Sequence, residues 1–202
     1  MRILIPFKAT NPKSRLSGIL DFEERKKLAE LMLLDVVEAV SRFGSVKVVS
    51  PAKINIEGVD VVVDSSDLNT VVNSEINNVP LAVVMSDLPL LSGDILQRFF
   101  NSEGDVVIAP GRKGGTNMLL VRREGFRVSY HYGSFFKHVE YARKIGFSVS
   151  IFDSFYSSVD IDDESDLLEL IMHGKGKRSW KFLTQLGFRV SFEKTPRLER
   201  VS

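Results

Sequence analysis

Three short stretches of this chain hold residue types that do chemistry together. In "VVMSDLPLLS" (83–92) an apolar run ends at Ser86, Asp87 and Pro89. A carboxylate at the end of a buried strand can hold a divalent cation, because hard cations take oxygen ligands. It can equally begin a turn or cap the helix that starts after Ser92. In "SVDIDDESDLLEL" (158–170), Asp163, Glu164 and Asp166 suit the first turn of a helix, where acids complement exposed N–H groups. Asp160 and Asp162 come earlier, are expected on alternate sides if the segment is extended, and are candidates for metal or ligand contact. In "APGRKGGTNMLLV" (109–121), Arg112 and Lys113 carry charge, Gly114 and Gly115 let backbone approach a ligand, and Thr116 and Asn117 add donors. That inventory suits an anion; a glycine-rich hairpin with two solvated cations would look the same.

The loop "PFKATNPKSRLS" (6–17) adds Lys8, Lys13, Ser14 and Arg15 directly after the first apolar run. Three cations there suit a triphosphate, although each alone also reads as a solvated side chain. Neither a GxxxxGK[ST] phosphate loop nor a GxGxxG dinucleotide fingerprint is present. The chain has no cysteine, which removes disulfides, thiolate metal sites and a cysteine nucleophile.

The elements that must position these residues follow from periodicity. The run 3–7 and the β-branched stretches 46–49, 59–63, 81–85, 106–109, 118–121 and 148–152 read as strands. Between them lie helical patterns. After Asp21, a helix N-cap, Leu28, Leu31, Met32, Val36, Ala39, Val40 and Phe43 recur at helical spacing up to Gly44. Further helices are expected in "DLNTVVNSEINN", "SGDILQRFF", "SFFKHVEYARKIG", 163–172 and 179–186. Alternation of continuous apolar strands with helices predicts an α/β fold with a mostly parallel sheet covered by helices, and ligands at the carboxyl ends of its strands. The near-repeats "GFRVS" at 125 and 187 and "GFSVS" at 146 are unequally spaced; the latter two positions follow helical patterns and read as glycine C-caps leading into strands. "HGKGKRS" (173–179) marks a basic turn, and "SFEKTPRLERVS" (191–202) an edge strand and basic tail.

At 202 residues, 44% hydrophobic and 26% charged, one domain spanning 1–202 is expected. A formal charge of +1 offers no global field for nucleic acid or an anionic membrane, so an anion must be captured locally. No apolar run reaches spanning length, and a cytoplasmic location is expected. None of the three histidines reads as a catalyst: His138 packs or orients its loop, His131 faces ligand or solvent, and His173 ends a helix. Trp180, Phe135 and Phe136 read as core or subunit contacts.

Taken in order, "ILIPFK", "KSRLS", "ERKKLAELMLLDVV", "DLN" (67–69), "SDLPLLS", "PGRKGGTNMLL", "YHYG" with "FFKH", and "DIDDESDL" resemble the 2-phospho-L-lactate guanylyltransferase family from residue 3 to about 170. The resemblance implies the Rossmann-like nucleotidyltransferase fold, of glycosyltransferase-A-like form. It also implies a magnesium-dependent transfer of GMP from GTP to 2-phospho-L-lactate, giving lactyl-2-diphospho-5'-guanosine and pyrophosphate in deazaflavin coenzyme F-420 biosynthesis. Relatives in that family use phosphoenolpyruvate or 3-phosphoglycerate. Carried over by position, Lys8, Lys13, Ser14, Arg15, Asn69, Ser86 and Asp87 meet the nucleotide, with Lys13, Arg15 and Asp87 catalytic. Arg112, Gly115, Thr116, Asn117, Gly133 and Ser134 meet the acceptor; Asp87, Asp160 and Asp162 hold magnesium. A homodimer is a further expectation. Two other classes stay open. Sugar-1-phosphate or molybdopterin-type nucleotidyltransferases share this logic, but their "LAGGxGxRMG" loop is absent. A non-catalytic nucleotide-binding module would not need the acids.

Overall fold

The apolar run after Met1 forms β1 (Arg2–Pro6), and its side chains divide between two faces because successive residues of a strand point opposite ways. Ile3 and Ile5 enter one buried cluster and Leu4 the other. The computed structural model describes residues 1–8, 10–192 and 195–201. Chain order continues through α1 (Phe22–Val40), β2 (Ser45–Ser50), β3 (Asp60–Val63), α2 (Leu68–Glu75), β4 (Leu81–Val84) and α3 (Gly93–Asn101). Then come β5 (Val106–Pro110), β6 (Thr116–Val121), α4 (Ser134–Lys144), β7 (Val149–Ile151), the short α5 (Phe155–Ser158), α6 (Glu164–His173), α7 (Arg178–Gln185), β8 (Phe188–Ser191) and β9 (Arg197–Arg200).

Seven strands pair in the order β3-β2-β1-β4-β6-β5-β7. Pairing is parallel except at β6, which runs antiparallel to both β4 and β5. The β5–β6 link spans only 111–115, too short for a parallel crossover, so the chain must turn back as a hairpin. The hairpin reading of that glycine-rich stretch is therefore right as structure. Helices α1 and α3 cover one face, with Leu33, Val36 and Val40 of α1 packed among Ile3, Ile5, Val48 and Ala82. Helices α2 and α4 cover the other, over Leu4, Val83, Ile108 and Leu119. A third buried cluster lies off the sheet; Leu16, Leu20, Leu28, Met32, Leu90, Val159, Ile161, Leu167, Leu170 and Leu183 belong to it.

Local signals account for the boundaries. Asp21 caps α1 in a reciprocal capping box: its carboxylate accepts from Glu24 N at 2.8 Å while Glu24 accepts from Asp21 N at 3.0 Å. Gly146 and Gly187 follow α4 and α7 at φ 73° and 87°, in the left-handed region that favours glycine, and each leads towards a strand. The third copy differs: residues 126–129 form no strand. Among the described residues the C-terminal strand β9 pairs with β8 alone, in a separate two-stranded ribbon, while the intervening residues 193–194 lie outside the described set.

Candidate active site

Asp87 follows β4 at its carboxyl end, and the Ser92 side chain, not Asp87, caps α3. The Asp87 carboxylate is left to accept from Lys13 Nζ at 2.7 Å. The same ammonium donates to Asp162 at 2.9 Å, and Arg15 reaches the other Asp162 oxygen at 3.5 Å. The loops after β1 and β4 and the segment before α6 thus meet at one lysine. Burial opposes the charge on Lys13, but Asp87 and then Asp162 outweigh it and hold its pKa above the ordinary lysine value. Backbone geometry aims it: Lys13 sits at φ 53°, ψ 44° and Asn11 at φ 43°, left-handed conformations rare outside glycine. Beside it opens a cavity of about 240 Å³ lined by Phe7, Lys8, Asn11, Pro12, Lys13, Ser86, Asp87 and Asp162 among others. Ser14 is exposed on the adjoining single turn of 3-10 helix, 14–16.

Asp160 and Asp162 do not lie on opposite sides. Val159 and Ile161 are both fully buried in the third cluster, so an extended segment turns both acids the other way, towards Asp87. The reason is the two-residue period of extended chain, which puts i and i+2 on one side. Ile161 N donates to Asp87 O at 3.0 Å and locks the two segments together. Burial, then the neighbouring Asp87, raise the Asp160 carboxyl above its usual range; the Asn117 amide, donating at 3.2 Å, works against that rise.

The glycine-rich loop is tied to the acidic segment. Arg112 forms an ion pair with the buried Asp166, which also accepts from the backbone N–H of Asp162 and Asp163, each at 2.9 Å. Lys113 reaches Asp163 at 2.8 Å, and that hydrogen bond, with Ser165, holds the Asp163 carboxyl far below its usual range. Arg112 is therefore spent on positioning Asp160 and Asp162. Gly115 closes the loop, its carbonyl accepting from Gly111 N at 2.9 Å.

Thr116, Asn117 and Ser134 are buried near the start of β6 and α4, and Gly133 precedes α4 in the left-handed region at φ 69°. Between Thr116 and the loop before α4 stands His138, 1% exposed. Ser129 N–H donates to its Nε2 at 2.9 Å, so the neutral ring carries its proton on Nδ1, which donates to Thr116 Oγ1 at 2.9 Å. Burial, then Lys137, lowers its pKa to about 4. Ser134 Oγ donates to the same Thr116 oxygen at 3.3 Å. Asn69 is committed to structure. Its Oδ1 accepts from Tyr130 N at 2.5 Å, and Nδ2 donates to His131 Nε2 at 3.3 Å. Asn73, one turn later, binds Val128 through both its N–H and its carbonyl. His173 ends α6 as expected.

Two buried groups escaped the sequence reading, Arg25 and Asp35, 8% and 2% exposed. Both sit on the apolar stripe of α1, Arg25 three and seven residues before Leu28 and Met32 and Asp35 three and seven residues after Met32 and Leu28, and that spacing is the signal that could have marked them as buried. Asp35 accepts from the N–H groups of Arg178 and Ser179 and so caps α7 from outside. Among the described residues no three histidine or acidic groups form a ready metal cluster, and no helix is long and apolar enough to cross a membrane.

The model of the guanylyl transferase CofC-like family matches residues 1–202. The chain belongs to this family. A CofC-like relative from Archaeoglobus fulgidus, named 2-phospho-L-lactate guanylyltransferase, is 72% identical over 200 residues, covering 99% of this chain and 97% of that protein. Another of the same name from Archaeoglobus profundus is 53% identical, covering 100% and 98%. Among solved structures, one from Desulfovibrio desulfuricans G20 superposes on this CofC-like chain with a TM-score of 0.73 at 16% identity, covering 91% of it and 94% of the other. A nucleotidyl transferase from Methanothermobacter gives 0.57 at 12%, covering 91% and 98%. The expected nucleotidyltransferase fold is thereby borne out.

Proposed function

We propose that this CofC-like protein joins GMP from GTP to 2-phospho-L-lactate, releasing pyrophosphate, with the meeting of Lys13, Asp87, Asp160 and Asp162 beside the 240 Å³ cavity as the reacting centre. That convergence, at the carboxyl ends of β1 and β4 where an open α/β sheet binds ligands, carries the reading. The names of the relatives from Archaeoglobus support the choice of substrates.

The chemistry asks for no general base. The second pKa of a phosphate monoester is about 6, so the acceptor is largely a dianion at neutral pH. One of its oxygens attacks the α-phosphorus, the bond from that phosphorus to the bridging oxygen breaks, and the electron pair leaves with pyrophosphate. What the protein must do is hold two repelling anions in line and balance charge on the leaving group. Lys13, Arg15 and Lys8 are the cations at hand. For the acceptor, the Thr116 hydroxyl proton and the backbone N–H groups at the start of α4 other than that of Phe135, which donates to Gly114 O at 3.1 Å, suit a carboxylate or phosphate.

The donor set also fits magnesium. That ion is usually held by one or two carboxylates together with substrate phosphates. Asp87 and Asp160 supply such a pair: burial first, and then the charge of Asp87, raise the Asp160 carboxyl above its usual range. Asp162, now paired with Lys13 at 2.9 Å, would be a third oxygen donor for such an ion. When bound there, magnesium would neutralise phosphate charge.

The test is pyrophosphate release from purified protein with magnesium and GTP, offering 2-phospho-L-lactate, phosphoenolpyruvate, 3-phosphoglycerate and a sugar 1-phosphate separately. Release with the first alone is the expected result. Release with another acceptor keeps the transfer and changes the substrate; no release with any pair favours a nucleotide-binding module.

A further inference from the structure

Arg25 is a buried cation that no acid balances. Among the described residues no carboxylate lies within ion-pair distance of it, and its nearest acidic neighbours in sequence are engaged elsewhere: Glu24 with Arg200 at 2.5 Å and with Asp21 N, Asp21 with Glu24 N. Its Nη1 donates to two neutral oxygens, Asn11 Oδ1 and Pro12 O, each at 3.1 Å, and its buried Nε has no partner. Burying a charge without a counter-charge is costly, so such an arrangement persists where something else compensates. The compensation is visible in the placement. Asn11 and Pro12, which Arg25 grips, line the cavity beside Lys13, and so do Ala29 and Met32, which follow Arg25 by four and seven residues on one face of α1.

The grip falls on an unusual turn. Asn11 and Lys13 both adopt left-handed backbone conformations, which cost energy in residues other than glycine and hold only when neighbours enforce them. Arg25 binds the residue between them through its carbonyl and Asn11 through its side chain. A glutamine could make such contacts with neutral groups. An arginine, whose guanidinium also lies over the Phe22 ring at 5.8 Å, adds a positive charge directly behind Asn11 and Pro12 in the wall of a cavity that Lys8 and Lys13 already line.

We propose that Arg25 is a positioning residue of the nucleotide-phosphate subsite: it holds the Asn11–Lys13 turn in its left-handed form, and bound phosphate, not a carboxylate, balances its charge. The proposal rests on the reading of the cavity as the GTP site. It makes the turn and its charge one device, so that the lysine aimed at Asp87 and Asp162 is also preset for phosphate.

The variants are R25Q, R25K and N11A, each compared with the wild-type protein by thermal melting, GTP titration calorimetry and steady-state pyrophosphate release. R25Q is expected to weaken GTP binding and raise the KM for GTP by about tenfold or more, while the KM for 2-phospho-L-lactate stays within about twofold. R25K, keeping the charge without the fork, should recover part of that loss. N11A, which leaves the cation but removes one contact at the surface, should cost about two- to fivefold in GTP affinity and still fold. A folded R25Q that binds GTP within about twofold of wild type overturns the proposal, as does an equal rise in both KM values, which marks a general scaffold role. Should R25Q not fold, R25K and N11A decide on the same criteria. GTP binding that depends on Arg25 without pyrophosphate release with any acceptor would keep this inference and sink the transfer reading; absence of GTP binding by wild type would sink both.

Discussion

Lys13 holds two carboxylates with one ammonium, and its removal should be felt twice. Lys13→Ala leaves Asp87 and Asp162 facing each other and Asp160 with only the more distant Arg15 to offset them. Because Asp162 is about one-third exposed, solvent screens part of that repulsion, so the expected cost is about 1–3 kcal/mol in a urea titration. Pyrophosphate release should fall about 100-fold, a loss at the upper end of that same range. Asp87→Asn should abolish metal-dependent turnover with the fold intact; unchanged turnover would remove Asp87 from the reacting centre. His138 gives a pH signature. Its folded pKa is about 4 against an ordinary value near 6.5, so the folded state binds fewer protons between these limits. The contribution is complete above about pH 6.5 and is lost as pH falls through 6.5 towards 4, worth about 3 kcal/mol over that span. His138→Gln should therefore show a flatter fall in unfolding free energy from pH 7 to 4, and a slope identical to wild type would mean that His138 is not buried neutral. Within "EERKK" Arg25 is one charge among five, and its place three, four and seven residues before Leu28, Ala29 and Met32 on the buried stripe of α1 is what separates it from Lys26 and Lys27.

At the scale of elements, α2 and α4 work by gripping a segment that is neither helix nor strand. Val128, Ser129 and Tyr130 donate their backbone N–H groups to Asn73, His138 and Asn69 in turn. Buried backbone donors need partners, and side chains on two helices take the place of a neighbouring strand. Asn73→Ala removes both bonds to Val128 and should cost about 1–3 kcal/mol. Hydrogen exchange at Val128 should accelerate before exchange in β4 does; uniform acceleration across the sheet would show that the grip is not local. Seven strands and the longer helices were legible because each strand is rich in β-branched and other apolar residues and each helix has an apolar stripe at helical spacing. The near-repeat "GFRVS" forms a strand at 188–191 and none at 126–129, in keeping with the helical pattern that precedes only the former, but the partners of the coil, Asn69 and Asn73, lie more than 50 residues away and were not legible. Acids, glycines and cations of the site were legible as types. Their use was not: Arg112 and Asn69 have ligand-binding chemistry and are committed to Asp166 and to the 130–131 segment.

For the whole molecule, the third buried cluster explains why three distant segments keep one geometry. Each segment bearing a reacting residue drops an apolar anchor into it: Leu16 beside the Lys13 loop, Leu90 after Asp87, and Val159 and Ile161 on either side of Asp160. Helices α6 and α7 close that cluster through Leu167, Leu170 and Leu183, and Asp35 fastens α7 to α1. The two sheet-covering clusters make the fold, whereas the third makes the site, and the two roles should separate under mutation. Ile161→Val removes one methylene group from the cluster and should cost roughly 0.5–1.5 kcal/mol, and Val107→Ala, which removes two methyl groups from the sheet core, somewhat more, roughly 1–3 kcal/mol. At a temperature chosen well below the melting transition of both, the Val107 variant should retain wild-type kcat. The Ile161 variant should lose several-fold in kcat, because a displacement well under 1 Å between Asp87 and Asp160 is enough to misalign an in-line transfer. Unfolding curves give the stability of each and single-turnover kinetics the chemical step. If kcat falls equally in both variants, or in neither, the third cluster is an ordinary part of the core, and the alignment of Lys13, Asp87 and Asp160 depends on their direct hydrogen bonds alone.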